Sequence, residues 1–425
     1  MAVKVQYLDV YLKGVFAGKL TSENAVLSFQ YDEAYLQSEK VVKLSASLPL
    51  QHEVLEHDVV YPYFSGLLPD EDVRKRLARY LGVSDKNTFG LLKEIGGECA
   101  GAVSVYPEGV SPASKATHDY RVLEEDEAAD ILTSLDKKPL MAGEDDIRIS
   151  GAGAQDKLVI AFVDGKIAIP KGNTPSTHII KPAIKDINDS VFNEYFCMRL
   201  AAEIGLPVPE VSILWIKGTP YYVIKRYDRV LVDGEITRLH QEDFCQAMHI
   251  APEIKYEDEG GPSLLDCFNL IDGRIKEGAM PGKAKLTLLQ GVLFNYLIGN
   301  GDAHGKNFSL LYDGESEDLA PFYDLLCTVV YNNHFKAKMA MKINKKYRFR
   351  DVTLSSLEKF AESIGIKNSL LHRQMLTLSN DVANGATQLF SELNKNPETK
   401  SDIYESILGS IARNVQKFDH FLTNR

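Results

Sequence analysis

Ile298-Gly299-Asn300-Gly301-Asp302-Ala303-His304-Gly305-Lys306-Asn307, with Phe322-Tyr323-Asp324 downstream, is the stretch whose reading decides the fold. It offers an aspartate, an asparagine five residues later, and a second aspartate after a short apolar run. A phosphoryl-transfer site needs these parts in this order. Asp302 can accept the proton of an attacking hydroxyl, while Asn307 and Asp324 can hold magnesium on the phosphates of ATP. Such catalysis is mostly positioning and charge neutralisation, so a few oxygen ligands on rigid loops carry much of it. Polar groups packed this densely beside an apolar helix are costly unless paired or metal-bound, which counts against a plain loop with Asp302 as a helix cap. His304 either contacts phosphate or hydrogen-bonds within the loop. Lys306 is placed to meet the transferred phosphate.

Working outward, Leu286 to Ile298 predicts a strongly apolar helix that delivers this loop. Leu354 to Phe421 reads as several amphipathic helices. On the N-terminal side, Leu158–Phe162, Lys166–Pro170 and Thr177–Lys181 read as short strands, with Asp164-Gly165 as a hairpin turn. Val191 to Ile204 follows as a helix, and Val211–Ile216 with Tyr221–Arg226 as a second hairpin. Residues 1–110 form a separate α+β unit, with strands at Val3–Leu12, Val15–Leu20 and Ala25–Tyr31. Helices follow from Leu68-Pro69-Asp70 and over Phe89–Ile95. Residues 111–146 are polar, carry one helical run from Leu123 to Leu135, and read as a bridge. The expected organisation is 1–110, bridge 111–146, a nucleotide-binding small lobe 147–229, and a helical large lobe 230–425. The fold class is α+β: a two-lobed protein-kinase-like fold with an additional N-terminal subdomain and an all-helical C-terminal lobe.

Composition narrows the function. The 425 residues carry a net charge of -11, so any nucleic-acid contact must use a local patch. Five scattered cysteines without a C-x-x-C pair fit reduced thiols better than disulfides or a zinc site. The N-terminus is not a signal peptide, and no apolar run approaches the roughly 20 residues of a membrane span, so a cytoplasmic chain without a membrane partner is expected.

Other motifs are weaker alone. Ser150-Gly151-Ala152-Gly153-Ala154-Gln155-Asp156-Lys157 lacks P-loop spacing, but its small residues before a strand would let backbone amides approach phosphates. Lys181 ends an apolar strand and offers an ammonium to phosphate, with Glu194 on the next helix as its candidate partner; a strand-end lysine reaching water is the plainer reading. Lys225-Arg226-Tyr227 follows the last small-lobe strand, where a hinge would offer backbone bonds to adenine and Tyr227 could pack on the base. Lys336, Lys338, Lys342, Lys345, Lys346, Arg348 and Arg350 make a basic run with Tyr347 and Phe349 interleaved. It suits either a nucleic-acid or acidic-protein contact or, more plainly, a β-hairpin with a solvated face.

Taken together, these residues resemble the HipA-type serine/threonine kinase toxins of bacterial toxin–antitoxin modules. The resemblance runs through Leu67–Asp70, Leu92–Gly97 with Gly101–Val103, Ile149–Lys157, Thr177–Lys181, Asn193–Tyr195, Arg226–Arg229, Gln241–Asp243, Tyr256–Gly261 and Asp302–Asn307. It implies ATP and magnesium at Ala152, Gly153, Ala154, Gln155, Asp156, Lys157, Lys181, Lys225, Arg226, Tyr227, His304, Gly305, Lys306, Asn307, Tyr323 and Asp324, with Asp302 as catalytic base. It further implies autophosphorylation at Ser150, a small helix-turn-helix (HipB-like) antitoxin that bridges to operator DNA, and a protein substrate such as an aminoacyl-tRNA synthetase. Two departures stand out: glycine at Gly151 where a β-branched residue is expected, and Lys225 where the hinge would carry an acid. A lipid or small-molecule kinase and a non-catalytic co-repressor are the competing expectations. The first lacks an amphipathic membrane-binding segment. Intact Asp302, Asn307 and Asp324 argue against the second.

Overall fold

A computed structural model describes residues 5–39, 41–112, 119–144, 146–314, 316–331 and 338–423. Four antiparallel strands open the chain, in the spatial order Val26–Tyr31, Val15–Glu23, Gln6–Leu12, Val103–Pro107. The helices His57–Gly66, Glu71–Leu81 and Thr88–Ile95 belong to the same unit. A second, six-stranded antiparallel sheet follows the order Tyr120–Val122, Lys166–Pro170, Leu158–Val163, His178–Lys181, Thr219–Lys225, Val211–Ile216. Its edge strand comes from the segment read as a bridge: Tyr120 pairs with Pro170 and Val122 with Ala168. A three-residue strand is too short to show an alternating pattern, and only its neighbour reveals it.

Two apolar cores organise the molecule. One joins the N-terminal unit to the outer face of the six-stranded sheet. The other lies in the large lobe, around the helices Lys283–Ile298, Asn368–Leu393 and Ile403–Thr423. The strand Thr219–Lys225 shows how one segment serves both. Tyr221 and Val223 enter the first core, while Tyr222 and Ile224 enter the second. Successive side chains of a strand point to opposite faces, so this run is apolar on both. The helix Ser190–Glu203 packs its Val191, Phe196 and Leu200 into the large-lobe core. Glu194 is thereby fixed by the large lobe while it reaches a strand of the small one.

The fold class is as expected from sequence, with one correction at the edge of the large lobe, which is not all-helical. It also holds the hairpin Arg229–Val232/Glu235–Arg238 and the sheet His240–Asp243, Ser309–Asp313, Ser316–Leu319. The pairing Asp243↔Ser309 places the end of the Asp302–Asn307 stretch beside Asp243. The basic run is no regular hairpin: an isolated bridge joins Ile343 and Lys346, and a short 3-10 turn covers Phe349–Asp351. Lys336 lies outside the described residues. All five cysteines are buried and unbridged. No helix among the described residues is long and apolar enough to cross a membrane.

Glu242 clamps the N-terminal unit onto the large lobe. Its buried carboxylate accepts from the Ala46 amide at 2.7 Å and from the hydroxyls of Ser45 and Tyr312. Burial pushes this carboxyl up to about 7, against those hydrogen bonds. Between its ordinary value of 4.5 and about 7 the folded chain holds a proton that the unfolded chain has released. Stability contributed here therefore falls as pH rises through that window. Glu242→Gln is expected to narrow the difference in Tm between pH 5 and pH 8; an unchanged difference refutes the assignment.

Candidate active site

The helix Lys283–Ile298 ends at Gly299 with a left-handed φ of +75°. That cap turns the chain into the polar loop. Asn300 then organises it: its amide donates to Asn295 Oδ1 at 2.8 Å, and its Oδ1 accepts from the Asp302 amide at 3.0 Å. Gly305 is required by packing, since a Cβ there would lie 2.3 Å from Pro262 Cγ. Asn307 Nδ2 donates to the Asp302 carbonyl at 3.0 Å, so the expected base and the expected magnesium ligand are held in one turn.

Lys181 is the electrostatic centre of the cleft. Its buried ammonium lies 2.8 Å from Glu194 Oε1 and also bonds Asp324 Oδ1. The strand-end lysine reaching water is therefore excluded. Burial alone would lower the Lys181 ammonium; Asp324 and Glu194 outweigh it and hold the group above its ordinary value. Burial favours neutral Asp324, but Lys181 prevails and draws its carboxyl down to about 2. Burial pushes Glu194 up to about 7 in spite of Lys181. Asn193, one residue before Glu194, exchanges two hydrogen bonds with the Cys327 backbone, at 2.7 and 3.0 Å. The helix that carries Glu194 is thus tied to the segment that carries Asp324.

The glycine-rich stretch forms a loop over Lys157. The Lys157 ammonium bonds the Ala152 carbonyl, and its stem runs beneath Gly151 and Gly153. Gly153 has φ +103°, and a Cβ there would come 2.8 Å from Lys157 Nζ. A Cβ at Gly151 would meet Leu140 and the Lys157 stem at 3.1 Å, which accounts for glycine at a position expected to be β-branched. Burial, helped by Lys181, pushes the Lys157 ammonium down to about 8. Gln155 donates to the Pro182 carbonyl at 2.9 Å. The N-terminal unit braces this loop from behind. The Asp70 amide donates to the Gly153 carbonyl at 3.1 Å, and the Ser150 amide to the Glu98 carbonyl at 2.8 Å. Buried Ser150 Oγ donates to the Leu67 carbonyl at 2.5 Å. Asp156 spends its carboxylate on Arg76, at 2.9 and 3.0 Å.

Other expected site residues are used differently. Arg226 turns away from the cleft into a buried ion cluster, bonding Asp228 at 2.8 and 2.9 Å and Ser176 at 2.9 Å. Arg229 and Glu98 complete that cluster at 2.9 Å. The Lys225 and Arg226 amides donate to the carbonyls of Glu210 and Thr177, so neither is available to adenine. The Lys225 side chain lies 3.2 Å from Glu210. Tyr227 stacks on Tyr323 with ring centroids 6.1 Å apart, and its hydroxyl bonds Gln241. The Tyr323 hydroxyl donates to the Lys306 carbonyl at 2.7 Å. The Lys306 ammonium is turned to Asp243 at 3.1 Å, with Asp70 at 3.8 Å. Burial, aided by the charges of Lys255 and Lys306, keeps the His304 imidazole well below its ordinary value and therefore neutral.

Four participants carried no assigned role in the sequence: Asp70, Arg76, Asn193 and Tyr256. The Tyr256 hydroxyl donates to Asp302 Oδ1 at 2.8 Å. Burial pushes the Asp302 carboxyl up to about 6, a rise that Tyr256 opposes. Their partners at the site are between 46 and more than 100 residues distant, beyond the reach of local pattern.

The residues fit a magnesium nucleotide. Asp324 keeps 41% of its side chain accessible, beside two buried ammoniums and a glycine loop. The described residues hold no cluster of three or more His, Cys, Asp or Glu that would bind a metal alone. Magnesium commonly takes only one or two protein carboxylates and completes its shell with water and phosphate oxygens.

Comparison with known proteins agrees with this geometry. Residues 8–106 match the HipA N-terminal domain and residues 149–389 the HipA-like C-terminal domain. A Sinorhizobium fredii protein with a kinase designation, Y4mE, is 40% identical over 94% of each chain. The serine/threonine-protein kinase toxin HipA of Shewanella oneidensis is 29% identical over 87% of this chain and 86% of its own. The solved complex of Shewanella HipA, HipB and operator DNA superposes with a TM-score of 0.82 at 25% identity, covering 98% of this chain and 97% of that one. With both domain models matched in order and a relative so similar over nearly its whole length, the chain belongs to the HipA family.

Proposed function

We propose that the chain is an ATP- and magnesium-dependent serine/threonine-protein kinase and the toxin of a HipBA-like toxin–antitoxin module, acting in the cytoplasm. The observation that carries this reading is Lys181 bonded to both Glu194 and Asp324, with Asn300 of the loop that carries Asp302 and Asn307 donating to the Asp324 carbonyl at 3.4 Å. Magnesium ATP supplies the activated phosphoryl group and the charge neutralisation its transfer needs. Amides of the 152–157 loop, with Lys157 and Lys181, bind and orient the phosphates. Asn307 and Asp324 would hold the metal. Tyr227 and Tyr323 offer apolar surface to the base. Asp302 takes the proton of the acceptor hydroxyl, and its raised carboxyl suits a base working near neutral pH.

Ser150 is the proposed autophosphorylation site. Its hydroxyl is buried against the Leu67 carbonyl, so a phosphate there cannot be accommodated and would expel the nucleotide loop. Ser150→Ala is expected to abolish self-labelling while leaving transfer to other acceptors; retained self-labelling, mapped by mass spectrometry, would refute this. The proposed partners are a HipB-like helix-turn-helix antitoxin and, through it, operator DNA for co-repression. The complex formed by the Shewanella relative supports both. Within the basic run, Lys338 and Lys342 are already paired with Asp258 and Glu257, and Arg350 lies 3.7 Å from Asp351, which leaves the exposed Lys345, Lys346 and Arg348 as the candidate contact to DNA. The proposed substrate class is an aminoacyl-tRNA synthetase, whose phosphorylation would slow translation. The deciding experiment is intact mass and peptide mapping before and after incubation with magnesium ATP. A phosphoryl group on wild type but not on Asp302→Ala supports a kinase. None on either, with ATP still bound, favours a scaffold.

A further inference from the structure

We propose that Tyr256 occupies the seat of the acceptor hydroxyl on Asp302, so that an acceptor must displace it before transfer. The inference rests on the kinase reading of the site. A hydroxyl about to lose its proton to a general base lies roughly 2.6–3.2 Å from it. The Tyr256 hydroxyl meets that condition at 2.8 Å, on Asp302 Oδ1. Among the described residues no other side chain donates to this carboxylate. The phenol therefore engages the base in the manner required of an acceptor, and its half-buried ring fills the approach.

The surroundings make this contact a built feature. The ring meets His304 edge-on, with centroids 5.2 Å apart and planes at 86°, and the Lys255 ammonium sits 5.6 Å from its centre. Burial and the adjacent Asp302 hold the phenol above its ordinary value, so it remains a donor. The next residues form a turn, closed by Glu259 and Gly261 amides on the Tyr256 carbonyl at 3.0 and 2.8 Å. That turn is pinned to the basic run: Glu257 lies 2.8 Å from Lys342, and Asp258 bonds Lys338. The Asp258–Lys338 pair is partly exposed, and water and salt weaken it. The Glu257 carboxylate, in contrast, is buried and also accepts the Lys342 amide at 2.6 Å, so the turn stays anchored and it is the Tyr256 side chain that is released. The basic run acquires a role on this view, as the strut that keeps Tyr256 seated. Gly301 packs against the same segment, since a Cβ there would lie 2.6 Å from the Lys338 carbonyl oxygen.

Once Tyr256 swings away, a serine or threonine hydroxyl takes its place. The acceptor oxygen forms a bond to the γ-phosphorus, the bond from that phosphorus to the β–γ bridging oxygen breaks, and ADP leaves with the electron pair. The acceptor proton passes to Asp302. A tyrosine that had to stay on Asp302 during transfer would compete with this step.

The test uses the full chain, labelled ATP with magnesium, and a degenerate mixture of peptides centred on serine or threonine. Tyr256→Phe keeps the ring against His304 and removes only the hydroxyl. Releasing a hydrogen bond to a charged group should lower the KM for peptide by at least about fivefold, with kcat and the KM for ATP little changed. Hydrolysis of ATP by water should rise in parallel. A fall in kcat at unchanged peptide KM, or no change in any constant, overturns the proposal, because Tyr256 then braces Asp302 or is inert. Failure of the kinase reading looks different: wild type would transfer phosphate to peptide, water or itself no faster than Asp302→Ala.

Discussion

Asp302→Ala is expected to lower kcat for phosphoryl transfer by about 10²–10⁴-fold, the range a positioned general base contributes. The affinity for ATP should stay close to that of wild type. The physical reason is a division of labour within one loop. On the proposed reading the nucleotide would be held by groups on other elements, namely Lys157, Lys181, Asp324 and the 152–157 backbone, while among the described residues the Asp302 carboxylate carries a single side-chain bond, from Tyr256. Removing it leaves the turn in place, because Asn300 and Asn307 bond the backbone of residue 302 and not its side chain. Single-turnover transfer, calorimetric ATP binding and Tm, measured together, decide the matter. A variant that transfers phosphate at the wild-type rate refutes the role of Asp302. One that loses ATP binding and Tm together shows a structural carboxylate instead.

Arg226→Met is expected to destabilise the fold by about 3–5 kcal/mol, the usual cost of leaving a buried charge without its partner. The Arg226 guanidinium makes two hydrogen bonds to Asp228 and one to Ser176, with Glu98 at 3.7 Å. Methionine fills much of the volume but returns none of these bonds, and Asp228 and Glu98 remain buried. Because Glu98 belongs to the N-terminal unit, the loss should also loosen its seating on the small lobe. Burial favours a neutral Asp228, yet Arg226 and Arg229 hold its carboxyl far below the ordinary value. A depressed carboxyl stabilises above its unfolded value of 3.8, so the penalty should be full at neutral pH and fade as pH falls below that. Denaturant titration of wild type and variant at pH 7 and pH 3 provides the check. An unchanged midpoint at pH 7, or loss of ATP binding without loss of stability, would return Arg226 to the nucleotide site.

These two arginine and aspartate cases mark how far sequence reaches. Asp302 stands in a dense polar motif after an apolar helix, and that contrast is itself a physical signal: such groups persist only when paired or bound. Arg226 sits at the end of a strand, where a local reading makes it a hinge residue facing ATP. Its true partners include Ser176 and Glu98, 50 and 128 positions away, and nothing in the strand reports them. The same holds for Lys306, turned to Asp243 and Asp70, and for Asp156, held by Arg76.

By itself the sequence determined most strands and helices of the N-terminal unit and small lobe and the helical character of the large lobe, because hydrophobic period, turn residues and helix ends are local properties, but not the Tyr120–Val122 edge strand or the strands of the large lobe. It also determined the kinase-like class, through Asp302, Asn307, Asp324 and Lys181 in sequence order. Only the tertiary structure decided how charge is distributed among those parts. It set Lys181 between two carboxylates, braced the 150–157 loop from the N-terminal unit, retired Arg226 to a buried cluster and placed Tyr256 on Asp302. Each of these is a desolvated contact between distant segments. Its energy depends on burial and on distances of a few ångströms, which exist only once the chain has packed.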